Sequence, residues 1–373
     1  MIFFFLMACG RPTSSYDVDV YGKGTSLGDI QAASIPMGGY IEYARVRIWG
    51  SHIGYGFTGL YGDTPYASGT QTILASGNFA YPPHPSFDRG SKLLTLGPSS
   101  KDQCFSIIGT RVAPGSVENI DVGDGIRLKG TKVDVTLPRD PLFYPKPAGD
   151  IWYIAYGENL SPVLQNYAHG NDTWPEQAED LAVSMPGTLP PKETMVGAFP
   201  YPVTGYLPIP SSVEGLQING SLVDEQAQSF VGPWTEDMVL TWAPASTAHP
   251  LTVSILLLGE GTSQGACVCD EDCGDGLSCR ENECFATNGS SDMLLAEYVC
   301  TLSDDGSYTM SKGSVSELLN KTNAKGALLV VSRVAQGEIS DIPAVLSHNE
   351  KQLTHAPIRT RGIDAIMTRL ELP

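Results

Sequence analysis

The sequence has little positive charge. Its 23 Lys and Arg residues stand against 41 Asp and Glu residues, which gives a formal net charge of −18 at pH 7. Nucleic-acid-binding surfaces need clustered Lys and Arg to displace counterions from phosphates. The chain has no such cluster, so we expect no nucleic-acid partner. Anionic lipid headgroups would also repel it, which excludes electrostatic attraction to a membrane surface.

Long apolar runs are missing as well. No stretch reaches the roughly 18 consecutive apolar residues that indicate a membrane-spanning helix. Hydrophobic residues nevertheless make up 42% of the 373 residues and charged residues only 17%, which favours a globular chain of about two domains. The 40 Gly and 27 Pro are spread along the chain. Such a distribution is typical of many turns between short strands, and we therefore predict an all-β fold.

Motifs for catalysis are weak. The six His form no H-x-H or H-x₃-H pair, so no metal site is predicted from them. A nucleophile elbow requires a strand before it and a helix after it. Of the two G-x-S-x-G matches, the one at residues 24–28 has no strand before it, and the one at 261–265 follows a strand but leads into the cysteine-rich loop and not into a helix. We predict no catalytic residue, no metal and no cofactor.

The N-terminus changes character abruptly at Cys9. Residues 2–8 are apolar, whereas residues 10–35 are rich in Gly, Ser, Thr, Asp and Pro. An apolar stretch of this kind fits the core of an export signal, and the polar segment after it fits a flexible tether. An apolar first strand with an incidental cysteine is the competing interpretation.

The residues Leu6-Met7-Ala8-Cys9 resemble the lipobox of bacterial lipoproteins. The resemblance implies a signal peptide over residues 1–8, lipid on Cys9 and a membrane partner through that lipid. It places the protein in the bacterial cell envelope. Because Gly10 stands where an Asp retains some lipoproteins in the inner membrane, we expect the outer membrane, with the exposed side left open. No Lys or Arg precedes Arg11, so we expect the true start to lie upstream.

Seven cysteines remain after Cys9, an odd number, and we expect disulfides because the compartment is oxidising. They are Cys104, Cys267, Cys269, Cys273, Cys279, Cys284 and Cys300. Paired C-x₂-C spacing, which zinc sites usually show, is absent. From spacing alone the four cysteines from Cys269 to Cys284 permit three pairings.

The segment from Cys269 to Cys284 resembles small disulfide knots of secreted and lipoprotein chains from myxobacteria. The resemblance implies the pairs Cys269–Cys279 and Cys273–Cys284. With those two pairs made, we expect Cys267 to reach Cys300 and Cys104 to stay free and buried. Residues 215–373 resemble the C-terminal domain of myxobacterial lipoproteins, which implies a β-sandwich and brings no activity with it.

Alternating side chains predict strands on both sides of a Pro-rich stretch that ends near Pro210. In residues 40–49, for example, Ala44 and Val46 share one face while Arg45 and Arg47 share the other. We predict a tether over 9–35, a β domain over 36–210 and a β-sandwich over 211–373 with a Cys-rich insertion at 261–288. The second half is similar in pattern to immunoglobulin and fibronectin type III sandwiches. Residues Ser314–Glu317 match a capping box, which predicts a short helix to about Asn320.

Nine aromatic residues fall between positions 40 and 81. Exposed Tyr and Trp bind sugars or anchor a protein partner, so this region is the candidate ligand face, while burial in the core is the simpler alternative. The candidates are Tyr40, Tyr43, Trp49, Tyr55 and Tyr61. We predict a non-enzymatic binding or structural role at the envelope, with a glycan or an envelope protein as partner. The alternative is a glycan hydrolase or carbohydrate-binding protein that uses this aromatic region.

Overall fold

The computed structural model describes a large part of the chain. The described residues are 37–49, 70–81, 101–108, 118–139, 152–156, 174–175, 177–188, 197–224, 226, 229–245, 249–260, 277–280, 283–286, 292–322, 324, 326–342, 345–346, 352–353 and 355–373. Almost all of these residues lie in strands or the turns between them, so the predicted all-β, sandwich-like fold is confirmed.

The described elements are strands with one short helix. In chain order they are β1 (Met37–Trp49), β2 (Thr70–Tyr81), β3 (Gln103–Ile108), β4 (Glu118–Asp121), β5 (Gly125–Lys129), β6 (Asp134–Pro138), β7 (Trp152–Tyr156), β8 (Glu179–Met185), β9 (Gly197–Ala198), β10 (Val203–Ile209), β11 (Glu214–Ile218), β12 (Ser221–Leu222), β13 (Phe230–Val231), β14 (Met238–Ala243), β15 (Leu251–Glu260), β16 (Leu277–Arg280), β17 (Glu283–Ala286), β18 (Asp292–Leu302), β19 (Ser307–Met310), α1 (Ser316–Lys321), β20 (Gly326–Ile339), β21 (Val345–Leu346), β22 (Gln352–Leu353) and β23 (His355–Glu371).

One large sheet is the main sheet of the structure. Its 13 strands include the path β22-β21-β9-β4-β2-β1-β23-β20-β15-β18-β3, with β13 paired to β23 and β7 paired to β2. The strands β1 and β23 are parallel, whereas β20 is antiparallel to both β23 and β15. The strand β3 pairs with β18 at one end of this path.

Two smaller sheets each enclose a separate core. The sheet β10-β8-β5-β6 directs its buried side chains toward Ile41 and Tyr43 of β1 and Ile358 of β23, and together they form the first core. The sheet β12-β11-β14-β19 packs in the same way over β15, β18 and β20, and this second core includes Ile366 and Leu370 of β23.

The predicted boundary near residue 210 falls between β10 and β11, where the chain passes from the first small sheet to the second. The two halves are nevertheless not independent sandwiches. The long strands β1, β20 and β23 contribute to both cores: Ile339 of β20 lies in the first and Val331 in the second. The shared sheet could not be predicted from proline spacing, because strand pairing over long sequence distances leaves no local signal.

Two local predictions need correction. The helix α1 begins one residue later than a capping box would place it, because Val315 and not Ser314 is the N-cap residue, and Val315 makes no side-chain cap bond. The hydroxyl of Ser314 instead donates to the carbonyl of Ser311. The Pro-rich stretch also contains a strand, β10, with Pro208 inside it. This is tolerated because β10 is an edge strand of its sheet, where a missing N–H leaves no ladder bond broken.

The backbone of β10 approaches the main sheet closely at Gly362. A Cβ atom added to Gly362 of β23 would lie 2.1 Å from the carbonyl oxygen of Pro208. Only glycine permits that approach, because any side chain would collide with backbone rather than with a flexible side-chain end. Gly362 therefore sets the distance between the first small sheet and the main sheet.

Candidate functional site

The described residues of the predicted aromatic ligand face are buried or partly buried. Tyr40 and Tyr43 are 3% and 1% exposed, and Trp49 is partly buried against the second core. Alternate side chains of β1 point to opposite faces of the sheet, and all of those from Tyr40 to Val46 are buried, so both faces are covered there. Tyr43 stacks on Trp174 with ring centroids 5.7 Å apart. Tyr55 and Tyr61 lie outside the described residues.

The disulfide pairing differs from the prediction. Cys104 of β3 is bonded to Cys300 of β18, so the expected Cys267–Cys300 pair is wrong and Cys104 is neither free nor buried. The two residues lie directly opposite each other in the β3–β18 ladder although 196 positions separate them in sequence. No spacing rule shows such a contact, which exists only because β3 pairs with β18.

The other cysteines are only partly described. The Cα atoms of Cys279 and Cys284 are register partners in the β16–β17 hairpin. Cys9, Cys267, Cys269 and Cys273 lie outside the described residues, so the pairs Cys269–Cys279 and Cys273–Cys284 stay predictions, as does the lipid on Cys9.

A tyrosine lies against the Cys104–Cys300 disulfide. The hydroxyl of Tyr308 on β19 is 3.6 Å from the sulfur of each cysteine. Burial raises the pKa of Tyr308, and the neighbouring Tyr298 and Asp102 act in the same direction. The phenol therefore stays protonated as a hydrogen-bond donor beside the disulfide.

A buried charge cluster lies where the two cores meet. Arg45 of β1 donates to Asp364 of β23 over 2.5 Å, and Arg47 donates to the other oxygen of the same carboxylate over 2.6 Å. The backbone N–H of Val213 also donates to Asp364, and Arg45 donates to the hydroxyl of Ser212. Burial lowers the pKa of Arg47, although Asp364 opposes that shift.

A second ion pair continues this cluster. Arg333 of β20, whose side chain is 1% exposed, donates to both carboxylate oxygens of Asp304. It also donates to the backbone carbonyls of Ser211, Ser212 and Ala243. Trp242 donates to Asp304 as well, over 2.6 Å.

These bonds hold the connection between β10 and β11 against the main sheet. Each carboxylate oxygen of Asp364 and of Asp304 accepts at least one donor from the protein itself. Buried charges of this kind need such partners to offset their desolvation. We interpret the cluster as structural, a fixed junction between the cores, and not as a ligand site.

The outer face of the β10-β8-β5-β6 sheet is the candidate binding surface, called the platform below. One row across the strands is Thr204, Ser184, Arg127 and Thr136, and the next row is Tyr206, Ala182, Lys129 and Asp134. All of these side chains are exposed, because the opposite positions of each strand fill the first core. Tyr206 is 65% exposed.

The charges on the platform are nearly balanced. Arg127 donates two hydrogen bonds to Asp134, over 2.9 and 2.8 Å. Those bonds raise the pKa of Arg127 and lower the pKa of Asp134. Lys129 and Asp180 are the other charged residues on this face, so the platform is close to neutral on a chain whose net charge is −18.

Sequence reasoning missed Tyr206. The alternation of Val203, Gly205, Leu207 and Ile209 inward against Thr204 and Tyr206 outward was present in the sequence, but the neighbouring prolines hid it. An aromatic residue at an outward position of a strand whose inward positions are aliphatic would have predicted an exposed ring here.

Comparison with known proteins finds no match among protein-family models, curated proteins or solved structures. Within the described residues, no group of three or more His, Cys, Asp or Glu side chains is arranged to hold a metal ion. No helix among them is long and apolar enough to cross a membrane.

Proposed function

We propose that this protein is a lipid-anchored component of the bacterial cell envelope with a binding or structural role rather than an enzymatic one. The observation that carries the proposal is the sequence Leu6-Met7-Ala8-Cys9 followed by a polar segment. Because each buried CH₂ contributes about 0.8 kcal/mol to membrane binding, lipid on Cys9 holds the protein without help from its charge. Gly10 after the cysteine favours the outer membrane.

Two features of the body support this proposal. The Cys104–Cys300 disulfide is typical of proteins that work in an oxidising compartment. The net charge of −18 gives the folded part of the chain no attraction for anionic headgroups. A covalent lipid anchor would provide the membrane attachment that the surface charge does not. The resemblance to myxobacterial lipoproteins belongs to the same proposal.

A binding role is supported by the contrast between the buried charge cluster around Asp364 and Asp304, called the junction, and the platform. The charged groups of the junction bind one another and the backbone, whereas the side chains of the platform face outward across four strands. A glycan or an envelope protein is the partner we propose for such a surface. Hydrolysis with Tyr40 and Tyr43 as a substrate platform is not supported, because both rings are buried.

The test is the intact mass and membrane partition of the full chain made in a bacterium that processes lipoproteins. We expect the wild-type protein to carry acyl groups and to sediment with the outer membrane. The Cys9→Ala variant should carry none and should leave the membrane fraction. Cys104→Ala is the matched control, because it also removes a cysteine but leaves Cys9 intact. If the wild type lacks acyl groups and Cys9→Ala partitions as the wild type does, the proposal is wrong.

A further inference from the structure

We propose that the platform binds a neutral glycan strand, with the ring of Tyr206 as the stacking surface. This rests on the proposed binding role and names its ligand class. Five large apolar side chains of the described residues are clearly exposed: Tyr201, Tyr206, Leu222, Val231 and Val239. Of these, Tyr206 alone lies on the outward side of the four-stranded sheet.

The neighbours of Tyr206 leave its ring accessible. The residue opposite it on β8 is Ala182, which has a single methyl group, and Thr204 is the next outward residue on its own strand. A tyrosine on a flat surface beside small side chains presents a rigid, amphipathic ring at low entropic cost. The apolar C–H face of a sugar ring is complementary to such a ring.

Hydrogen-bonding groups lie along both rows at the spacing of the strands. Ser184 and Thr136 carry hydroxyls in the first row, and Lys129 stands two strands away from Tyr206 in the second. With strands about 4.8 Å apart, the four strands span about 14 Å. A surface of that width offers donors and acceptors along a short run of sugar rings rather than around one isolated group.

Charge and composition favour a neutral glycan over other partners. A polyanion would be repelled by the net charge of −18 and would find Arg127 already bonded to Asp134. A protein partner needs several large apolar or aromatic anchors at the centre of its interface, and the platform has one, Tyr206. A neutral polyhydroxylated chain needs one stacking ring and several polar groups, which is what these rows supply.

The test measures binding of chitohexaose and cellohexaose, with heparin as the polyanion, to the full chain in detergent by isothermal titration calorimetry. We expect one of the two neutral oligosaccharides to bind and heparin not to bind. Tyr206→Ala should weaken binding about 10-fold, the loss of one stacking contact, and Tyr206→Phe should retain most of it. Tyr201→Ala is the matched control: it removes another exposed tyrosine, which precedes β10 and lies at the inward parity of that strand.

Several results would overturn the proposal. They are binding of neither neutral oligosaccharide by the wild type, equal binding by Tyr206→Ala, preference for heparin, or a change in oligomeric state with Tyr206→Ala in place of a change in glycan binding. Thermal unfolding of each variant checks that the fold is retained, and Tyr206→Phe keeps the test decisive if the alanine variant unfolds. Acylation of Cys9 is measured separately, so a platform that fails to bind glycan leaves the anchor proposal standing.

Discussion

Arg45 and Asp364 lie side by side on the parallel strands β1 and β23 and are joined by a hydrogen-bonded ion pair of 2.5 Å between Nε and Oδ1. The carboxylate of Asp364 is fully buried and also accepts from Arg47 and from the backbone of Val213. One side chain thus links the first strand, the last strand and the connection between the two small sheets.

Removing the charge of Asp364 should destabilise the whole body. Asp364→Asn leaves two buried guanidinium groups without a counter-charge, so we expect a loss of about 3–5 kcal/mol in the free energy of unfolding. Denaturation in guanidinium chloride measures it. The control is Asp134→Asn, which breaks the exposed pair with Arg127 and should cause no measurable change because water screens that pair. Equal effects of the two substitutions would contradict a structural role for the junction.

The Cys104–Cys300 disulfide should hold β3 to the edge of the main sheet. Peptide mapping without reduction should recover Cys104 linked to Cys300. With both replaced by alanine, we expect a loss of roughly 2–4 kcal/mol of stability and faster amide hydrogen exchange in Gln103–Ile108, because β3 pairs only with β18 among the described strands. Exchange in β20, at the interior of the sheet, is the internal reference. Unchanged exchange in β3 would show that its backbone ladder is sufficient without the disulfide.

A methyl group at position 362 should force β10 away from the main sheet. In Gly362→Ala the new Cβ meets the Pro208 carbonyl oxygen, so we expect a loss of roughly 1–3 kcal/mol from overpacking. Gly326→Ala is the matched control: it also lies on a long strand of the main sheet, but its added Cβ has no neighbour within 4 Å. Thermal unfolding compares the two variants, and equal melting temperatures would contradict the close approach of β10.

Protonation of His249 should oppose folding. Burial lowers the pKa of His249, and the positive charge of Arg333 adds to this while Asp180 opposes it. The unfolded chain, with its ordinary histidine pKa of about 6.5, therefore binds the proton more readily than the folded protein. Stability contributed by neutral His249 is present above that pH and is lost as the pH falls below it.

The comparison of wild type and His249→Gln isolates this effect from the carboxylates that titrate in both. Between pH 7.5 and pH 5.5, the free energy of unfolding should decrease more for the wild type than for His249→Gln. Parallel slopes would show that His249 takes its proton equally well in both states.

The local character of most strands was predictable from alternation alone. In β5 and β6 the inward Leu128 and Val135 and the outward Arg127 and Asp134 follow the two-residue period of a strand. Alternation does not predict which side chains are exposed where both faces of a strand are covered. In β1 the charged Arg45 alternates with aliphatic residues as an exposed residue would, and yet it is 9% exposed because partners at Asp364 and Ser212 satisfy it.

From the sequence alone the all-β class could be predicted, because it depends on composition and local periodicity, whereas the lipid on Cys9 stays a prediction. Only the tertiary structure decided that Cys104 bonds Cys300, that β1 and β23 join both halves in one sheet, that Tyr40 and Tyr43 are interior and that Tyr206 lies exposed on the platform. Each of those facts depends on strands that pair across long stretches of chain. The backbone hydrogen bonds between strands use the same N–H and C=O groups at every residue, so they do not select one partner strand over another. The packing of whole sheet faces selects the partner, and no short segment of the sequence shows it.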